Sequence, residues 1–263
     1  MGVKTQLTLK EAQNLFKNHN ITKLIPTTSG IMDTTYISDN FIIKKYERVV
    51  DVKNDIRLLE LLKSSGLNVP TCQEQNKEWF LYEKLEGDEV KNIQTYHIVA
   101  LARFMAKFHS TIYKHRNNFD TTYLGKTIDK DEINKLLKYP KQNFFSYYKK
   151  LQPLKNYDSK SDGLIHGDIF KDNTLFKKQK IAVFDFIDSS YGSFSFDVAV
   201  CLVGFGARKN NYFINLFLQV YNQKAPRKIT KKELSKEINM ACGYYALKRI
   251  NGYKDTKKAK ELL

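Results

Sequence analysis

Three polar side chains define the chemistry this chain could carry: Asp168, Asn173 and Asp185. The first two lie in Leu164-Ile165-His166-Gly167-Asp168-Ile169-Phe170-Lys171-Asp172-Asn173, and the third closes Ile181-Ala182-Val183-Phe184-Asp185-Phe186. A carboxylate, an amide five positions later and a second carboxylate after a short hairpin follow the order used to move the terminal phosphoryl group of a nucleotide. That reaction needs a base that orients the acceptor hydroxyl and takes its proton. It also needs oxygen ligands that hold magnesium against the phosphates. Asp168 is the candidate catalytic base, and Asn173 and Asp185 are the candidate metal ligands. Gly167 permits a sharp turn, and His166 is expected to pack beneath the loop. A lone His-Gly-Asp is ordinarily a turn, and a lone Asp-Phe a surface acid. Their joint order, each beside an apolar strand, points to catalysis.

A nucleotide also needs a basic side chain on a strand, steadied by a carboxylate from the helix that follows. Phe41-Ile42-Ile43-Lys44-Lys45-Tyr46 offers two lysines, which strand alternation sends to opposite faces. Lys44 is the preferred phosphate ligand, with Asp55, or secondarily Glu60, as its partner. The phosphate-covering loop would be Thr28 to Thr35, where Ser29 and Gly30 contribute a hydroxyl and a permissive backbone. Its single glycine sets it apart from the G-x-G-x-x-G of protein kinases. Tyr82-Glu83-Lys84-Leu85 would join two lobes, with backbone at Glu83 and Leu85 pairing the adenine edge.

The elements that must position these groups can be read from periodicity. Thr8-Leu9-Lys10-Glu11 is a capping box opening a helix with Leu9, Ala12, Leu15 and Phe16 on one face. Strand-like pieces follow at 22–28, 34–38 and 41–46, the last two joined by Asp39-Asn40. Asp51 caps a helix that stops at Gly66 and turns Ile56, Leu59 and Leu62 inward. Trp79 to Glu83 is a further strand. Beyond a boundary near Glu86-Gly87-Asp88 the chain is mainly helical: Ile98, Leu101, Ala102, Met105, Phe108 and Ile112 recur at helical spacing. Later helices are expected at 195–205, 212–221 and 231–250. The organisation is therefore α+β, with a nucleotide-binding lobe over residues 1–84 and a catalytic and substrate lobe over 85–263.

Composition narrows the function classes. With 263 residues, 42% of them hydrophobic and 13% aromatic, the chain can bury a core. Lys+Arg 44 against Asp+Glu 28 leaves +16, an attraction for anions that nucleotide phosphates would satisfy. The lysines are spread along the chain and no nucleic-acid-binding signature accompanies them, so no nucleic-acid partner is expected. Cys72, Cys201 and Cys242 are far apart and have no metal spacing. No apolar run approaches a bilayer span, so no membrane association is expected and a cytoplasmic location is.

His166-Gly167-Asp168 through Asn173, with Phe184-Asp185-Phe186, resemble the aminoglycoside phosphotransferase and choline kinase superfamily, and within it the homoserine kinases. Met1 to Thr5, Gly30 to Tyr36, Phe41 to Glu47, Asp168 to Phe176 and Phe196 to Leu202 carry that likeness, and Tyr245 to Arg249 echo it loosely. The resemblance implies a bilobal protein-kinase-like fold with a small β-rich N-lobe and a larger, mainly helical C-lobe. It implies transfer of the ATP γ-phosphate to L-homoserine with Mg2+, and a bracing role for Asp197. Lys44, Gly167 and the Asn-poor loop depart from the homoserine kinase pattern. A kinase for choline, ethanolamine, an amino sugar or an aminoglycoside is the alternative. A zwitterionic acceptor would ask for a cation such as Arg208 or Arg249 and an acid such as Asp188. A protein kinase is disfavoured because no Ala-Pro-Glu follows Asp185, and a non-catalytic module because all three polar positions are present. The sequence leaves the oligomeric state open.

Overall fold

A computed structural model describes residues 3–28, 32–119, 128–157, 161–252, 254 and 256–263. The chain forms two compact units: Met1–Asp88 with Ala182–Ile187, and Glu89–Ile181 with Asp188–Leu263. The segment carrying Asp185, read from sequence as part of the C-terminal lobe, is thus grouped with the first unit.

In the first unit, helix α1 (Leu9–Leu15) opens with Thr8 accepting from the Glu11 N–H while the Glu11 carboxylate accepts from the Thr8 N–H. This reciprocal pairing satisfies donors that a helix start leaves open. The helix lays Ala12 and Phe16 against Tyr36, Ile43 and Leu81 of an antiparallel sheet. The strands are β1 (Ile25–Pro26), β2 (Thr34–Ile37), β3 (Phe41–Lys45), β4 (Cys72–Asn76) and β5 (Trp79–Glu83), in the order β1-β2-β3-β5-β4. Strand β1 is shorter than the span 22–28 suggested, in keeping with a proline that cannot donate to the ladder. Strand β4 is composed of Cys-Gln-Glu-Gln-Asn and gave no apolar alternation to read.

Helix α2 (Val52–Ser64) starts where the Asp51 carboxylate accepts the Asn54 N–H, and Gly66 follows it at φ +77°. It buries Leu58, Leu59 and Leu62 together with Asp55, while Ile56 stays half-exposed. The buried stripe 55, 58, 59, 62 is a regular helical face whose first position is a carboxylate, so apolar counting alone misplaced it by selecting Ile56.

The second unit is built on α3 (Thr95–Lys114), α4 (Lys130–Asn143), α5 (Phe145–Leu151), α6 (Phe194–Gly204), α7 (Asn211–Tyr221), α8 (Lys231–Gly252) and α9 (Thr256–Leu262). Helix α6 packs on α8, and α3 on α7. Strand β6 (Gly163–Ile165) pairs with the short β9 (Ser190–Gly192), and β7 (Thr174–Lys177) forms a hairpin with β8 (Lys180–Val183). The loop after β6 carries Asp168. Every residue of α6 from Phe194 to Val203 is buried, Asp197 included, so this helix is a central support for that loop. Among the described residues no helix is long and apolar enough to cross a membrane.

Candidate active site

The loop between β6 and β7 is held from below by one carboxylate. Asp197 is fully buried, and its two oxygens accept the backbone N–H of His166 at 3.1 Å and of Gly167 at 2.8 Å. A third donor comes from α3: His109 Nε2 lies 3.0 Å from Asp197 Oδ2, and Tyr221 Oη lies 2.7 Å from His109 Nδ1. Burial pushes the Tyr221 phenol far above its ordinary value, so it keeps its proton. Each donor that faces this buried carboxylate would be costly to leave unpaired.

Gly167 sits at φ +73°, the left-handed turn for which glycine is suited. The Asp168 N–H donates to His166 Nδ1 at 3.2 Å, so the buried imidazole does pack under the loop. Asn173 donates from Nδ2 to the Asp168 carbonyl at 2.9 Å and to its carboxylate at 3.1 Å. The amide nitrogen is thereby committed to Asp168, and the amide oxygen is the atom of the group able to bind a cation. On the other side, Tyr245 donates its hydroxyl to the Gly167 carbonyl, and its ring centre lies 4.9 Å from that of Phe170 at a tilt of 58°. Burial first, and then the Asp168 charge, hold the Tyr245 phenol well above its usual range. Phe170 in turn lies against Gly204, where an added Cβ would fall 1.9 Å from its ring.

In the first unit the charged groups pair with one another. Lys44 Nζ donates to Asp185 Oδ1 at 2.7 Å and lies 3.9 Å from Asp33 Oδ2 and 4.7 Å from the centre of the Tyr46 ring. Burial opposes the ammonium, but the carboxylates of Asp185, Asp33 and Asp55 outweigh it and raise the Lys44 pKa. The direct partners of Lys44 are therefore Asp185 and Asp33, not the Asp55 expected from sequence. Asp55 is buried in α2 and acts on Lys44 through its charge. Lys45 points to the other face and pairs with Glu78 at 2.7 Å. Asp185 takes φ +67°, unusual for a residue with a side chain, and its carboxylate is 39% exposed. Asp33 accepts the Glu47 N–H at 3.1 Å. It was legible only as a departure from an Asn-rich loop. The proposed phosphate-loop residues Ser29 and Gly30 lie outside the described residues.

At the end of β5, the Glu83 N–H donates to Thr71 O and the Lys84 N–H to Asn40 O. The Glu83 carboxylate accepts from Lys63 at 2.8 Å and from Thr71 at 3.1 Å. The backbone N–H groups of Glu83 and Lys84 are thus committed internally.

The family model described as "Phosphotransferase enzyme family" matches residues 26–229, which includes both parts of this arrangement. The chain belongs to that family. Among solved structures, a GDP and kanamycin complex of APH(2")-IIia superposes with a TM-score of 0.73 at 16% identity, covering 95% of this chain and 93% of that one. A streptomycin-ATP-APH(2")-IIa ternary complex gives 0.65 at 19%, covering 96% and 93%. Macrolide 2'-phosphotransferase MphH from Brachybacterium faecium gives 0.65 at 16%, covering 97% and 96%. No curated protein matches. The fold of this phosphotransferase is therefore the protein-kinase-like one, with an antiparallel N-terminal sheet and a mostly helical C-terminal part.

Two cations expected to be available for an acceptor carboxylate turn out differently. The Arg208 guanidinium donates to the Leu262 and Glu261 carbonyls and to Cys242 Sγ, so it ties α9 to the body of its unit. Arg249 instead lines a cavity of about 370 Å³. Asp188, the proposed ammonium partner, is exposed. His109 and Tyr221 escaped the sequence reading, while Phe170 and Tyr245 entered it only as members of the segments that carry the resemblance. The one signal was a histidine lying within the apolar face of α3.

Proposed function

We propose that this phosphotransferase is a nucleotide-dependent kinase acting on a hydroxyl of a small molecule. Asp168 would serve as the base, Asn173 and Asp185 as metal ligands, and Lys44 as the phosphate-binding cation. The observation that carries the reading is the Asp168 carboxylate on a turn held by Asp197, with the Asn173 amide fixed against it. In the reaction the acceptor oxygen bonds to the γ-phosphorus as the bond to the β-phosphate oxygen breaks. Asp168 takes the hydroxyl proton.

An amide and carboxylates offer hard oxygen donors, the set that suits magnesium completed by phosphate and water oxygens. Magnesium held by Asn173 and Asp185 would neutralise charge on the β- and γ-phosphates. Lys44 has carboxylate partners that a phosphate oxygen could replace, so its ammonium needs no new desolvation to act. Leu85 N–H and Glu83 carbonyl would hold the adenine edge.

The structural neighbours act on, or are bound to, aminoglycosides and macrolides, which favours an amino-sugar or aminoglycoside acceptor. L-Homoserine is the second reading, supported by the Asp168 to Phe176 and Phe196 to Leu202 resemblance. The test is nucleotide consumption with magnesium, using ATP and GTP in turn, against kanamycin, L-homoserine, choline and ethanolamine, with phosphorus NMR of the product. Acceptor-dependent turnover that disappears in Asp168→Asn is expected. Turnover that survives this substitution would remove Asp168 as the base.

A further inference from the structure

We propose that Arg48 is a second phosphate-binding cation beside Lys44, and that Asp33 is an internal anion that keeps the phosphate's place and yields it to a nucleotide. This rests on the assignment of Lys44 as the phosphate-binding cation and adds the residues that complete its site.

All the groups concerned lie in the first unit. Asp33 immediately precedes β2, and Arg48 lies between β3 and α2. The Asp33 carboxylate is buried, and its Oδ2 faces two cations: Arg48 Nη2 at 3.6 Å and Lys44 Nζ at 3.9 Å. Two cations that converge on one oxygen make an anion site, and here the anion is a side chain of the protein itself. The second cation could not come from β3, because alternation sends Lys45 to the other face and to Glu78. It comes from the segment that follows the strand.

The distances show how loosely Asp33 is held by these cations. Charge-assisted N–H···O bonds run at about 2.7–2.9 Å. Lys44 reaches that separation with Asp185, at 2.7 Å. Both cation contacts of Asp33 are longer than a hydrogen bond, so they supply attraction without a directed bond. A phosphate oxygen can close on both cations and carries more charge than a carboxylate oxygen. It therefore outcompetes Asp33. The side chain has a purpose all the same: two cations gathered around one point repel each other, and a resident anion holds them together.

The backbone that carries Arg48 is tied to β2 through its neighbour. Glu47 donates its N–H to Asp33 Oδ1 at 3.1 Å, and its Oε1 accepts the Thr5 and Thr34 hydroxyls, each at 2.6 Å. Thr34 is fully buried, and its Oγ1 also accepts the Lys4 and Thr5 N–H groups. Arg48 thus approaches the site from a braced segment, and its planar fork of donors matches phosphate geometry.

The test measures binding to the full chain by calorimetry, with magnesium, for ATP, ADP, inorganic tripolyphosphate and adenosine. Arg48→Gln should weaken the three phosphate ligands about tenfold, the order of one charge-assisted hydrogen bond. Arg48→Lys should recover part of that loss. Asp33→Asn should tighten the same ligands by about threefold, the scale of a loose ion pair. It should also lower the melting temperature of the nucleotide-free protein and enlarge the upward shift that ADP produces. In the double variant the gain from Asp33→Asn should shrink, since one of its two cations has gone. Adenosine carries no phosphate, and its affinity should not move. Unchanged phosphate binding in Arg48→Gln would overturn the inference, as would equal losses for ADP and adenosine. Unchanged or weaker binding in Asp33→Asn, the latter being what a metal ligand would give, would overturn it too. Lys44→Met separates the two claims. If it weakens tripolyphosphate binding while Arg48→Gln does not, Lys44 remains the phosphate cation and the second cation is refuted.

Discussion

The catalytic loop of the second unit and the Lys44 cluster of the first hold their polar groups in opposite ways. Around Asp168 the restraints are fixed dipoles and a buried anion: backbone N–H groups on Asp197, an imidazole behind it, and the Asn173 amide on Asp168 itself. Around Lys44 the restraints are charges that neutralise one another, with Asp185 and Asp33 on a single ammonium. In the first arrangement the loop's restraints are contacts among the protein's own groups. Under the proposed roles the second would exchange partners: a phosphate would replace a carboxylate at Lys44, and the freed carboxylate would turn to a metal ion. The difference suits a base that must be placed accurately and a nucleotide that must come and go.

The largest effect should come from the loop. Asp168→Asn should lower kcat by roughly 10²–10⁴-fold, the usual worth of a positioned general base, while leaving the melting temperature near wild type. A matching fall in stability would mean that the carboxylate is a structural prop instead. Asp197→Ala should act on stability as well. It strips the acceptor from the His166 and Gly167 N–H groups and from His109, and each unpaired buried donor costs about 1–3 kcal/mol. Denaturant unfolding would measure it, and a loss below 1 kcal/mol would contradict the description of Asp197 as the loop's anchor.

Gly204→Ala should come next. Its methyl would meet the Phe170 ring, and overpacking of this kind costs roughly 1–3 kcal/mol. Because Phe170 also supports Tyr245, kcat should fall with nucleotide KM little changed. An unaltered kcat would show that the loop is insulated from Phe170. The smallest effect should be in the exchangeable cluster. Lys44→Met should raise nucleotide KM by about tenfold, consistent with a loss of about 1.4 kcal/mol of binding. It should also alter the alkaline limb of unfolding. A lysine whose folded pKa is raised contributes stability that is present below its ordinary value of 10.5 and lost as pH climbs through the raised one. Identical pH profiles for wild type and variant would contradict that coupling.

Helix starts and turns were legible because each is decided within a few residues. Thr8 with Glu11 and Asp51 with Asn54 cap their helices as read from the sequence. Strand β4 and the short β9 were not, since a polar edge strand and a three-residue pairing owe their conformation to the neighbour that completes their ladder. The core of the site follows the same division. The order Asp168, Asn173 and Asp185 was legible as a motif, since its members lie on one short loop and one strand end.

By itself, then, the sequence determined the reaction type, the turn at Gly167 and the alternation that sends Lys44 and Lys45 to different faces. Those depend on local backbone periodicity. Tertiary structure alone decided that Lys44 meets Asp185 across 141 positions of sequence and Asp33, rather than Asp55. It also decided that Tyr221 and His109 back Asp197, and that Arg208 is spent on α9 while Arg249 is left facing a cavity. These pairings join residues far apart in the chain. Ion pairs and hydrogen bonds carry no spacing rule, so nothing in the local pattern could have chosen among the available charges.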